Sequence, residues 1–140
     1  MKFDYQKQPV LDDPGKSWIA RPYIPVELSH EGKNVRVYAL IDSGADTSLF
    51  HSSLGRELGI DVESGRKSSF FGIAEGPGVN VYIHTILVQV VGDDTPIDME
   101  VGFTDSKGVG AILGQSGFFD HYIVRFDRSK NRLEVAPSKR

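Results

Sequence analysis

Hydrophobic and polar positions divide the chain into short, mostly alternating segments that read as strands. "RPYIPVEL" (21–28), the polar "SHEGKN" (29–34) and "VRVYALI" (35–41) predict two extended segments joined by a polar turn containing a glycine. In the second segment Val35, Val37, Ala39 and Ile41 share one face. Tyr38 and Leu40 make the other face apolar as well, which predicts a central strand buried on both sides. "HSSLGRELGI" offers Ser52 and Ser53 as N-caps, Leu54 and Leu58 one helical turn apart, and Gly59 as a stop, so one short helix is expected. From Ser68, "SSFFGIAEGPGVNVYIHTILVQV" passes through glycines at 72, 76 and 78 into a long β-branched run, the pattern of a hairpin with a glycine-rich tip. "PIDMEVGFTD" reads as a strand, "GVGAILGQSGFFDHY" as an apolar strand breaking into a short helix, and "YIVRFDRSKNRLEVAP" as a closing hairpin.

A length of 140 residues suits one domain. Residues 17–136 are expected to form it, with 1–16 an N-terminal extension or arm and 137–140 a short basic tail. Glycine, at 15 residues, exceeds its usual share of about 7%, which favours turns over long helices. A net charge of -3 without a lysine or arginine cluster argues against nucleic acid as a partner. The absence of cysteine removes disulfides, zinc–thiolate sites and thiol nucleophiles, and mildly favours an intracellular protein. The opening "MKFDYQKQPVLDDPGKSW" lacks the apolar core of a signal peptide, and no later apolar run reaches membrane-spanning length. A soluble, cytoplasmic protein with no membrane partner is expected. His30, His51, His84 and His121 fall in no metal-ligand spacing, so neither a metal nor another cofactor is expected.

The stretch "VYALIDSGADTSLF" (37–50) ends an apolar strand in an aspartate. A carboxylate there loses hydration unless it is bonded, paired or protonated, so Asp42 calls for a reason. It is either an aspartate capping a turn or a catalytic group. Gly44 allows another backbone to come close, and the Ser43 hydroxyl can bond across such a junction. "ALIDSG" (39–44) and "AILGQS" (111–116) also echo each other, each running from an apolar strand into a polar corner, which hints at two halves related by a local twofold.

"LIDSGADTSLF" resembles the Asp-Thr/Ser-Gly-Ala loop of retropepsin-like aspartic proteases, the family that includes the retroviral proteases. "RPYIPVEL", the glycine-rich "FFGIAEGPG" and "AILGQSGFF" match further family segments in order, so the resemblance spans roughly Arg21 to Val135. It implies a mostly β, retropepsin-like acid-protease half-barrel with one or two short helices and a flap hairpin, acting as a homodimer because the chain has a single Asp-Ser-Gly. The implied activity is that of an aspartic endopeptidase. Asp42, Ser43 and Gly44 would form the catalytic loop, and two Asp42 carboxylates would share a proton and activate a water without metal or covalent intermediate. Ala45, Asp46, Phe71, Gly72, Ile73, Ala74 and Ile112 would bind an extended peptide or protein substrate, with the flap from Gly72 to Gly78 closing over it.

By the same resemblance Asp46 would contact the substrate backbone and meet Arg21 of the partner subunit; its bland alternative is a cap on the following turn. Ala45, lacking a hydroxyl, points to a mildly acidic optimum. The departures are Gln115 where retroviral members usually carry an arginine, a longer "SHEGKN" turn, the extended N-terminus, and Glu75 and Pro77 in the flap. Gly114 reads as a packing glycine. The alternative on the same fold is a dimeric module that holds a peptide or protein with weak or no hydrolysis.

Overall fold

The computed structural model describes residues 1–10, 15, 17–68 and 80–139. Its strands are β1 (Lys2–Asp4), β2 (Gln6–Pro9), β3 (Trp18–Arg21), β4 (Tyr23–His30), β5 (Lys33–Ile41) and β6 (Leu49–His51). A helix α1 (Ser52–Glu57) follows, then β7 (Arg66–Ser68), β8 (Val81–Val90), β9 (Ile97–Thr104), β10 (Ala111–Leu113), β11 (Tyr122–Asp127) and β12 (Arg132–Pro137). The mostly β expectation holds, and so does each strand assigned from the pattern.

One sheet runs in the order β4-β5-β10-β6-β9-β8-β7 and closes on itself through a further β4–β8 pairing. Alternation explains the closure. Ile24, Val26 and Leu28 point inward from β4, Ile86, Val88 and Val90 from β8, and Met99, Val101 and Phe103 from β9, all buried. Phe50 and Phe103 meet at the centre with ring centroids 6.2 Å apart. Each fully buried side chain of this size contributes about 1.5–3 kcal/mol relative to exposure.

With β7 set aside, the strand order reads the same from both ends when β4 is exchanged with β8, β5 with β9 and β6 with β10. Each half is an antiparallel hairpin, β4–β5 or β8–β9. Each then has an Asp-Ser corner, at Asp42–Ser43 or Asp105–Ser106, a three-residue strand and a helical turn. The two halves hinted at by the sequence are therefore present, but "ALIDSG" and "AILGQS" are not mates within them. They are neighbours: β5 and β10 run parallel with Leu40 opposite Ile112 and Ile41 opposite Leu113. Their likeness reflects one shared environment, two parallel apolar strands ending at the same edge of the sheet.

Four expectations change. "SHEGKN" is mostly strand, because His30 pairs with Lys33 and only Glu31 and Gly32 turn, both at positive φ (46° and 84°). Such two-residue turns match the twist of a hairpin. Strand β5 is interior to the sheet but covered on one face only, since Tyr38 is 55% exposed. Helix α1 is capped by His51, whose ring nitrogen Nδ1 accepts from Ser53 N at 3.1 Å, while Ser52 is its buried first residue. The helix after β10 is a single wide turn, Gln115–Phe119, interrupted by Gly117 at φ 93°.

The first residues join the domain's sheets. Strand β1 pairs with β12, and β2 pairs with β3. Strand β12 lies between β1 and β11, burying Leu133 and Val135.

The two halves touch most closely at Gly114, the residue after β10. Its N–H donates to the buried Ser48 hydroxyl at 3.1 Å. A Cβ there would lie 2.4 Å from the Thr47 carbonyl oxygen and 2.6 Å from that of Ala45. Both obstacles are backbone, so nothing can swing aside. Gly114→Ala is expected to destabilise the fold by about 3 kcal/mol, read as a fall of several degrees in thermal midpoint against the wild type.

Candidate active site

Strand β5 delivers Asp42 one residue beyond its last paired position. The Asp42 N–H still donates to Leu113 O of the neighbouring strand at 3.0 Å, so the carboxylate leaves the sheet from a fixed point. The chain then turns sharply, with Ala45 N donating to Asp42 O at 3.1 Å and Gly44 N to Asp42 Oδ1 at 2.9 Å. The side chain is thus oriented by its own loop. Asp42 is half-buried, while Ser43, Gly44 and Asp46 are exposed. The desolvated carboxylate expected from the apolar run is absent in a single chain; the loop stands at the surface.

A second loop holds the first. Gln115 N donates to Ala45 O at 2.8 Å, Ser116 N to Asp46 O at 2.8 Å, and the Gln115 side-chain amide Nε2 to Ser43 O at 2.7 Å. Gln115, at the position where an arginine was expected, therefore clamps the loop backbone directly instead of pairing with a carboxylate. The Asp46 carboxylate has no partner among the described residues. Next to it, Thr47 Oγ1 is buried without a hydrogen bond. Thr47 lines a small cavity of 110 Å³ shared with Arg66, Glu100 and Ser116.

Ile112 sits beside Leu40, on the strand that carries Asp42. Both line an open groove of 510 Å³ that continues past Tyr38 and Tyr23 to His51 and Leu54. The groove was not expected from the sequence, in which Tyr38 reads as buried and His51 falls in no metal-ligand spacing. The available signal was parity, because Tyr38, Leu40 and Asp42 alternate onto one face of one strand. Phe71, Gly72, Ile73 and Ala74, with the rest of the expected flap tip, lie outside the described residues; its stems, β7 and β8, pair antiparallel. Among the described residues no cluster of His, Cys, Asp or Glu could hold a metal ion, and no helix is long and apolar enough to cross a membrane.

No protein-family model matches the sequence, and no curated protein matches it. Solved structures do. A retropepsin-like aspartic protease from Rickettsia conorii superimposes with a TM-score of 0.63 at 17% identity, covering 97% of this chain and 98% of the other. The retroviral protease-like domain of Ddi1 from Leishmania major gives 0.55 at 23% identity, covering 84% and 89%. The chain therefore has the retropepsin-like fold.

Proposed function

We propose that the chain is an aspartic endopeptidase that works as a homodimer, each protomer supplying one Asp42. The observation that carries this reading is the clamped loop. A carboxylate held by Gly44 N stands on a corner that the second loop cross-bonds at three points, and the corner is left at the surface. Such rigidity suits a group that must meet its twin across a symmetry axis.

In the dimer the two carboxylates lie about 3 Å apart and share one proton. The ionised one takes a proton from a bound water, which attacks the scissile carbonyl carbon. The protonated one donates a hydrogen bond to the developing oxyanion, and the tetrahedral species collapses as a proton reaches the leaving nitrogen. Ser43 and Gly44 shape the loop around the pair. Leu40 and Ile112 supply apolar wall for the substrate's side chains, and the exposed Asp46 receives the substrate's backbone N–H groups. The flap, with Phe71, Gly72, Ile73 and Ala74, covers the bound peptide. The protein is cytoplasmic in this reading.

Asp42→Asn is expected to lower cleavage of a diverse peptide library by at least about 10²–10⁴-fold, the usual worth of acid–base catalysis, with the dimer retained in sedimentation. Cleavage by both proteins at similar rates contradicts the reading. Absence of any cleavage by the dimeric wild type, alongside peptide binding, would favour a binding module instead.

Two further outcomes follow from the loop. Gln115→Ala removes the bond to Ser43 O, worth about 1 kcal/mol, and is expected to reduce kcat more than it raises KM. Ala45→Thr brings a hydroxyl to the ionised carboxylate and stabilises its charged form. The acidic limb of the kcat/KM profile is expected to extend to lower pH than in the wild type.

A further inference from the structure

The groove between Leu40 and His51 lies to one side of the Asp42 loop and is lined by none of its residues. Tyr38 and Leu40 share one face of β5, and the alternation carries that face on to Asp42, the residue after the strand, so the groove floor leads towards the candidate catalytic group. Tyr38 lies four residues before Asp42, and at about 3.3 Å per strand residue the separation is about 13 Å. That is the span of three to four residues of an extended peptide. The groove's 510 Å³ falls within the range of ligand-binding clefts.

Its chemistry is uneven along its length. Tyr38, Leu40, Leu54 and Ile112 provide apolar wall, and Gln8, His51 and Ser53 provide polar groups. His51 has a defined role within this end. Its Nδ1 accepts from Ser53 N at the helix cap, which leaves the ring proton of the neutral imidazole on Nε2, a donor. An aromatic side chain with a hydroxyl at its tip matches both parts.

We infer that this groove is a distal substrate subsite, selecting a tyrosine three or four residues from the bond that is cut. The inference rests on the peptidase reading and adds the substrate class to it. The ring packs on Tyr38, Leu40 and Ile112, and the hydroxyl accepts from His51 Nε2–H. Tyr38 is the specificity-determining residue, because it is largely exposed in the free chain and its burial by the ligand is the main apolar gain.

The test uses synthetic decapeptides built around a bond that the wild type cuts, with Tyr, Phe, Leu or Ala placed three or four residues to either side. Cleavage is measured with the wild type, and binding by fluorescence anisotropy with Asp42→Asn, which holds peptides intact. Tyr38→Ala is compared with Leu87→Ala, a change at an exposed apolar residue outside the groove. The expected result is that the tyrosine peptide has a kcat/KM about tenfold above the alanine peptide in the wild type and in Leu87→Ala. In Tyr38→Ala that preference disappears, whereas Leu87→Ala keeps it. Phenylalanine falls between the two, and its gap from tyrosine closes in His51→Phe. Equal kcat/KM for all four peptides, or a preference that survives Tyr38→Ala, overturns the inference while leaving the peptidase reading intact. Dissociation of the dimer by Tyr38→Ala, seen in sedimentation, assigns the groove to a contact between copies and also overturns it. If no peptide is cut or bound, the peptidase reading and the subsite fall together.

Discussion

Cross-bonding between two corners of the sheet is the constraint on which the candidate site depends. Asp42 hangs from Leu113, while Ala45 and Asp46 are held by Gln115 and Ser116. Gly114 lets these backbones approach more closely than any side chain would permit. The buried Ser48 hydroxyl lies between them, accepting from Gly114 and placed 3.4 Å from Ser116 O. A loop of small residues would otherwise sample many conformations. Here its backbone is tied to a rigid sheet within a few residues of the carboxylate, so orientation is settled by the fold before any ligand arrives.

The near-twofold arrangement of the strands gives the Asp42 loop a counterpart within the same chain. The corner after β9 repeats the Asp-Ser pair at Asp105 and Ser106, yet its environment is different. Asp105 is solvent-exposed and lies 3.4 Å from Arg56, and Ser106 N is taken by the Thr104 hydroxyl. In place of a glycine after the pair stands Lys107. The second corner thus lacks the glycine that follows Asp42–Ser43 and carries a surface ion pair in its place.

Much of the fold was legible because its strands alternate cleanly. Ile24, Val26 and Leu28, or Met99, Val101 and Phe103, announce their inward face without help from the rest of the chain. The Asp42 loop was legible through its composition, and Gly114 through its setting between an apolar strand and a polar turn. What escaped were properties set by partners distant in sequence. Tyr38 looks like a core residue in its own strand, and only the assembled sheet leaves that face uncovered. Gln115 looked like the loss of an arginine's ion pair, because its real acceptor, the Ser43 carbonyl, lies 72 positions away in sequence and has no signature of its own. His51 capping α1 was hidden by two serines that propensity ranks ahead of it.

The tight turn at Glu31 and Gly32 fixes more than the end of a hairpin. It sets His30 opposite Lys33, and from that pair the register runs unbroken to Tyr23 opposite Leu40. Because side chains alternate along a strand, a slip of that register by one residue would turn Ala39 and Ile41 outward and Tyr38 and Leu40 into the core. The apolar cost of burying the wrong face therefore pins the whole hairpin, and the direction in which Asp42 leaves the sheet is held along its full length.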